Sequence, residues 1–111
     1  AMGLAQQVTT FTASDFGRTL SSNGDGSDHG WGGHHFVLGG AVRGKALYGQ
    51  WPEPGLGGAQ DVGQGRLLPT TSVQQLAVAL GRWFGVPDSE LSTVAPGYAS
   101  FDAGTLASLM I

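Results

Sequence analysis

The sequence predicts a small, glycine-rich α/β domain with a short central sheet and one main amphipathic helix over about residues 72–85. Residues 7–12 alternate apolar and polar side chains, residues 72–85 have apolar side chains at helical spacing, and 20 glycines interrupt the chain. At 111 residues and 41% hydrophobic content, we expect one domain, 1–111, with a thin core. We interpret residues 1–3 as a remnant of an expression vector and leave them out of the fold prediction.

Two strands and a turn of helix are expected in the first forty residues. Residues 7–12 are rich in β-branched side chains and predict a half-buried strand. Residues 19–22 are expected to make a short turn of helix. Residues 35–40 form an apolar run that ends in glycines, which predicts a buried strand.

The region 41–68 is expected to be a long, mostly irregular loop because glycine and proline recur throughout it. Only residues 46–48 have the pattern of a strand. Long irregular loops in compact domains are more often functional than idle, so this region is a candidate interaction surface.

The helix at 72–85 has clear signals at both ends. The run Thr71-Ser72-Val73-Gln74 offers a hydroxyl N-cap with a glutamine three residues on, as in a capping box, and Gly85 with Pro87 ends the helix. A second short helix is expected over 87–94, and residues 105–111 are expected to dock on the core as a helix or an edge segment. The apolar face of the main helix is expected to pack on the core through Val73, Leu76, Ala77, Leu80, Trp83 and Phe84.

Composition narrows the possible partners. The formal net charge is −3 and the five basic residues are scattered, so no basic patch favours nucleic acid. The absence of cysteine removes disulfides, thiolate catalysis and sulfur-ligated zinc. No run approaches the ~20 apolar residues of a membrane span, and the first residues lack the pattern of a signal peptide.

One segment concentrates the chemically active side chains. Residues 23–35 contain all three histidines, two carboxylates and five glycines. Imidazole and carboxylate bind divalent metals at neutral pH, so the segment predicts a metal site, with zinc favoured over manganese or calcium. Asn23, Asp25 and Ser27 resemble the start of a calcium loop, but Asp28 and His34 occupy its required glycine and glutamate positions, which argues against an EF-hand.

Within this segment the histidines are not equivalent. His29 lies among carboxylates and glycines and is the leading candidate ligand. Alternation along a strand sends His34 and His35 in different directions, so at most one of them is expected to share a space with His29. Asp15 follows the first strand, where it is a ligand, a turn-capping residue or a partner for Arg18.

Two tryptophans in glycine-rich segments allow two interpretations. Trp31 and Trp51 either stack on sugar rings or partner proteins, or cover a thin core. We favour the second interpretation for both.

Four segments carry a resemblance to a known family. They are residues 14–19 (SDFGRT), 23–32 (NGDGSDHGWG), 35–40 (HFVLGG) and 68–73 (LPTTSV). They resemble the C-terminal region of the DUF1501 proteins, which are uncharacterised bacterial proteins, commonly exported, that look like distant members of the alkaline phosphatase and sulfatase superfamily.

The resemblance implies roles for individual residues. Residues 8–12 would be a late strand of a parallel sheet and Asp15 the metal ligand that follows it, although Phe16 stands where better-known members have histidine. His29 would be the last histidine ligand, with His34 in reserve. The nucleophile and the first aspartate ligand belong to earlier strands that this chain lacks.

These residues suggest a small metal-dependent hydrolase of phosphate, sulfate or carboxylic esters. Asp15, His29 and either His34 or His35 would hold one metal with open positions, and the metal would activate a water. We expect Asp28 or Asp25 to act as general base. The substrate, a small-molecule or saccharide ester, would contact Trp31, Arg18 and Trp51.

An alternative from another class is a non-catalytic metal- or carbohydrate-binding module, derived from a larger alkaline-phosphatase-like protein, that associates with itself. Homo-oligomers are expected in either case, because such a piece exposes a sheet edge and an apolar face. A more distant alternative is a sugar-acting enzyme that uses two carboxylates among Asp15, Asp25, Asp28 and Glu53.

Overall fold

The computed structural model describes residues 2–111 and has a mixed α/β fold, as predicted. The single central sheet that we expected is replaced by two separate antiparallel ribbons, one of β1 with β4 and one of β2 with β3. The elements are β1 (Thr9–Phe11), β2 (Gly17–Ser22), β3 (Ser27–Gly30), β4 (Val37–Gly39), α1 (Val73–Phe84), a 3-10 turn (Asp88–Glu90), α2 (Leu91–Val94) and a second 3-10 turn (Tyr98–Ser100).

The chain forms two compact units, each made of separate segments. Unit 1 consists of the residues up to Thr10, of Val37–Gly49 and of Thr71–Ile111, and it contains both helices. Unit 2 consists of Phe11–Phe36 and Gln50–Thr70. None of the helices in the described part of the chain has the length and apolar character needed to cross a bilayer.

Helix α1 begins with a capping box at Ser72. Its side-chain Oγ accepts a hydrogen bond from Gln75 N at 3.2 Å, and the Gln75 side-chain Oε1 accepts one from Ser72 N at 2.7 Å. The box therefore lies one residue later than the Thr71 and Gln74 pair suggests. The helix ends at Gly85, whose φ of 109° is left-handed and costs little without a side chain.

The core of unit 1 is small, and it involves the predicted α1 residue Ala77 together with Val78, which was not predicted. Val78 is the one buried residue of the helix, and it packs with Leu91 and Ala95 of the α2 region. Val73 and Phe84 were expected in the core but are 74% and 82% exposed. The helix was predicted correctly, but its buried residue, Val78, lies outside the predicted apolar set.

The segment after α2 completes unit 1. The second short helix is present as the 3-10 turn followed by α2, and residues 105–111 dock as an edge segment without forming a helix. Met110 bridges Val42, and Ile111 N donates to Ala41 O at 2.7 Å.

Two of the expected strands differ in the structure. Residues 46–48 do not form a strand; instead the Tyr48 hydroxyl lies 2.9 Å from the Arg43 carbonyl oxygen and 3.3 Å from that of Ser108. The strand expected at 35–40 is reduced to Val37–Gly39, and its apolar side chains are not buried: Phe36 is 70% exposed. An apolar run predicts burial only where another layer covers it.

In unit 2 the carboxylate of Asp61 orders the loop around it. Its two oxygens accept hydrogen bonds from the backbone N–H groups of Gly57 (2.7 Å), Gly63 (2.8 Å) and Gly65 (2.9 Å). These bonds, that from Gly57 foremost, hold the pKa of the Asp61 carboxyl below its usual 3.8. The loop thus has a fixed anchor although it contains no helix or strand.

Replacing Gln75 by alanine should destabilise the protein by about 1–2 kcal/mol, because the Gln75 side chain makes two hydrogen bonds worth roughly 0.5–1.5 kcal/mol each. One is the capping-box bond, and the other runs from Nε2 to Asp102 O at 2.6 Å. Urea unfolding followed by circular dichroism measures the change. Gln74→Ala is the matched control and should change the free energy of unfolding by less than about 0.5 kcal/mol; equal effects would contradict the observed box.

Replacing Asp61 by alanine should accelerate hydrogen exchange at the amides of Gly57, Gly63 and Gly65, measured by NMR. In the unmodified chain the stabilisation by Asp61 is fully present above pH 3.8, its unfolded pKa, and is lost as the pH falls through the lowered folded pKa. Asp25→Ala, in a turn of the same unit, should leave these amides unchanged. Loss of protection in the unmodified chain already above pH 4 would refute the role of the carboxylate.

Candidate functional site

The histidine-rich segment forms a β-hairpin rather than a ligand-gathering loop. Strands β2 and β3 pair with Gly17 opposite Gly30 and Arg18 opposite His29, and Asn23 N donates to Gly26 O across the turn at 3.0 Å. The helical turn expected at 19–22 is therefore wrong, since those residues belong to β2. The run Asn23-Gly24-Asp25-Gly26 contains the dipeptides typical of hairpin turns, and this signal would have predicted the hairpin.

The glycines of this region allow backbones to approach each other. A Cβ on Gly17 would lie 1.7 Å from the carbonyl oxygen of Gly32, which no side chain permits. A Cβ on Gly30 would lie 3.2 Å from the backbone of Arg18. Close packing thus explains Gly17 and Gly30 without a metal.

His29 is part of an exposed cluster on the hairpin. Its ring stacks on that of Phe16, with centroids 3.7 Å apart and an angle of 15° between the planes. The Arg18 guanidinium carbon lies 5.1 Å from the centre of the same Phe16 ring, and Arg18 Nη1 donates to Ser27 O at 2.8 Å. Two predicted site residues, His29 and Arg18, are thus close together, and Phe16, which sequence reasoning had noted only for breaking a ligand pattern, joins them.

Of the two predicted general bases, Asp28 contributes its carboxylate to the turn and Asp25 its backbone N–H. Asp28 Oδ1 accepts a hydrogen bond from Asn23 Nδ2 at 2.8 Å, and Asp28 N donates to Thr19 Oγ1 at 3.1 Å. Asp25 N donates to Asn23 Oδ1 at 3.0 Å, an Asx turn. Both carboxylates are exposed, and the alternation of side chains places Asp28 and His29 on opposite faces of β3.

The other two histidines have separate partners, as their alternation implies. The His34 ring stacks on Trp51, with centroids 4.5 Å apart and planes at 26°. His35 Nδ1 lies 3.1 Å from Thr12 Oγ1, which also accepts a hydrogen bond from Phe36 N at 2.9 Å. Asp15 is exposed.

These positions do not fit the metal that the sequence predicts. Among residues 2–111 no three histidine or acidic side chains are grouped as metal ligands. A zinc site needs three or four side chains directed at one point, whereas His29, His34 and His35 contact Phe16, Trp51 and Thr12 respectively. The three histidines therefore share no point at which they could hold one metal ion.

The tryptophans of unit 2 are exposed, contrary to our interpretation of them as a cover for the core. Trp31 is 61% and Trp51 63% exposed. Trp83, on α1 in unit 1, is only half-buried. Large exposed aromatic side chains are typical of interaction surfaces, because their apolar area is removed from water only when a partner covers it.

Unit 2 as a whole buries no large apolar side chain. Its buried residues are Thr19, Gly30 and Gly65. The exposed large apolar residues of this unit, which we call the unit 2 apolar set, are Phe11, Phe16, Leu20, Trp31, Phe36, Trp51, Leu56, Val62 and Leu68. Sequence reasoning missed this set because apolar residues are expected to be buried.

A family model matches the chain. The family described as "Protein of unknown function (DUF1501)" matches residues 1–94, which is most of the chain. No curated protein and no solved structure matches it. The chain therefore belongs to the DUF1501 family.

Proposed function

We propose that the chain is a non-catalytic module that associates with a second copy of itself through unit 2. The observation that carries the proposal is the unit 2 apolar set: nine large apolar side chains exposed and none buried. Full burial of one such side chain stabilises a protein or complex by roughly 1.5–3 kcal/mol. Association recovers part of that free energy without any change in the fold.

The backbone of unit 2 favours the same conclusion. The ribbon of β2 and β3 has only two strands, and two-stranded ribbons are marginally stable alone in water. Leu20 N donates to Gly65 O at 3.0 Å, which covers part of β2. Addition of a strand to β3, or coverage of the aromatic side chains, would stabilise the ribbon.

A catalytic role receives less support from the geometry. The metal-dependent ester hydrolase and the likeness to the C-terminal part of an alkaline-phosphatase-like fold remain proposals that rest on the sequence motifs. The side chains suggested as ligands and bases are exposed; those of His29 and His34 are stacked on aromatic rings, and that of Asp28 accepts a hydrogen bond from Asn23. Binding of a sugar by Trp51 is disfavoured by the His34 ring, which occupies one of its faces.

The double variant Trp31→Ser with Phe36→Ser should weaken self-association about tenfold or more, since exposed aromatic side chains commonly dominate binding energies. Light scattering over a hundredfold range of protein concentration measures the molecular mass. The matched control is Val73→Ser with Phe84→Ser, which removes two even more exposed apolar side chains from unit 1. A monomeric unmodified chain throughout the range, or equal effects of the two double variants, would refute the proposal.

Metal loading should leave any ester cleavage unchanged. We expect samples treated with EDTA and samples loaded with zinc to hydrolyse p-nitrophenyl phosphate, sulfate and acetate at the same background rate, because no group of metal ligands converges among residues 2–111. Turnover that requires zinc and disappears in His29→Ala, while Asp88→Ala retains it, would favour the hydrolase over the module. The Asp88 control replaces an acidic side chain of unit 1 that is paired with Arg82.

A further inference from the structure

The formal net charge of the chain lies entirely in unit 2. With the histidines neutral, unit 2 has five acidic side chains against two arginines and a net charge of −3, whereas unit 1 has three side chains of each sign. The acidic residues of unit 2 are Asp15, Asp25, Asp28, Glu53 and Asp61. Two copies that met unit 2 to unit 2 would bring like charges together, which opposes association. A positively charged surface on the second copy would complement unit 2 better.

Unit 1 offers such a surface in residues 43–47, which we call the basic segment. Arg43 and Lys45 are exposed, and the part of unit 1 from Val37 to Gly49 contains no acidic residue. Neither cation belongs to an ion pair within residues 2–111, where the pair with N and O within 4.0 Å joins two other side chains. Leu47 beside them is 64% exposed. The basic segment therefore combines positive charge with an apolar side chain.

Backbone contacts hold the basic segment in place. Arg43 N donates to Leu109 O at 2.9 Å, and the Tyr48 hydroxyl lies 2.9 Å from Arg43 O. Lys45 has a φ of 61°, in the left-handed region that residues other than glycine seldom adopt. The segment is thus a fixed turn, and a fixed surface loses less conformational entropy on binding than a flexible one.

We propose that unit 2 of one copy binds the basic segment of the next copy, so that copies associate head to tail. This inference rests on the self-association proposed above and identifies the surface of the second copy that takes part. Contacts between two different surfaces generate closed rings or open chains of copies, whereas contacts between identical surfaces generate closed dimers.

The sequence of unit 2 mixes acidic residues with its exposed apolar ones. Asp15 directly precedes Phe16, and Glu53 follows Trp51 by two residues. A partner that offers both cations and an apolar side chain can therefore meet both kinds of group within unit 2. The opposite charges favour correct encounter and orientation, and the apolar contacts supply most of the affinity.

The sign of the salt dependence tests this charge complementarity. Raising the NaCl concentration from about 10 mM to about 100 mM shortens the screening length from about 30 Å to about 10 Å. Self-association of the unmodified chain, measured by light scattering, should become about three- to tenfold weaker, because attraction between opposite charges is screened. Association that is unchanged or stronger at the higher salt would overturn the head-to-tail contact and leave self-association through unit 2 standing. A chain that is monomeric at both salt concentrations would refute both.

Neutralising the basic segment tests its location. Arg43→Gln with Lys45→Gln should weaken self-association about three- to tenfold, since exposed ion pairs are individually weak. The matched control is Ser89→Glu with Ser92→Glu, which lowers the charge of unit 1 by the same amount at exposed positions outside the basic segment. Equal effects of the two double variants would overturn the proposal.

Charge reversal with mixing gives the sharpest test. One variant carries Arg43→Glu and Lys45→Glu, and the other carries Asp15→Lys, Asp25→Lys and Glu53→Lys, all at exposed positions. Each variant alone should associate at least tenfold more weakly than the unmodified chain, because like charges then meet. An equimolar mixture should regain association, since each unit 2 then meets a segment of opposite charge. A mixture no more associated than its separate components, measured by analytical ultracentrifugation, would overturn the proposal.

Discussion

The contact between the backbones of Gly17 and Gly32 is the constraint on which unit 2 depends. It fixes where the chain leaves the hairpin, because no residue with a Cβ could hold the two segments at that separation. Gly17 also pairs with Gly30, so the same position sets the register that brings Arg18 opposite His29. The side-chain cluster of Phe16, Arg18 and His29 is therefore a consequence of a contact that involves no side chain.

Two imidazole rings stack on aromatic side chains in unit 2, which buries no large apolar side chain. His29 on Phe16 and His34 on Trp51 are stacked pairs at the surface. Three histidines in thirteen residues indicate chemistry when the sequence is considered alone. In the folded chain the rings of His29 and His34 stack on aromatic side chains, and His35 Nδ1 lies within hydrogen-bonding distance of Thr12 Oγ1. All three histidines remain exposed to solvent, so a partner can still contact them.

The sequence predicted best what short-range interactions decide. Gly85 and the serine and glutamine residues near position 72 determine the ends of α1 locally, so that helix was found within about a residue at each end. The face of α1 that is buried depends on the length of α2 and on where residues 105–111 dock, which no local pattern contains. The site followed the same rule. Proximity of Arg18 and His29 follows from a hairpin turn that the sequence does encode, whereas the stacking of His34 on Trp51 joins positions seventeen residues apart across an irregular stretch.

The division of the chain into two units has a consequence for folding. Each unit is assembled from separate stretches, and the chain passes between them four times. Neither unit can close early: unit 2 needs residues up to Thr70, and the bonds from Arg43 N to Leu109 O and from Ile111 N to Ala41 O join residues more than sixty positions apart. Contacts of such long sequence separation slow folding, because the loop entropy is lost before the contacts form. On a ribosome, the apolar side chains of residues 11–36 would therefore emerge well before the second half of their unit, and they would be most open to capture by other chains during that interval.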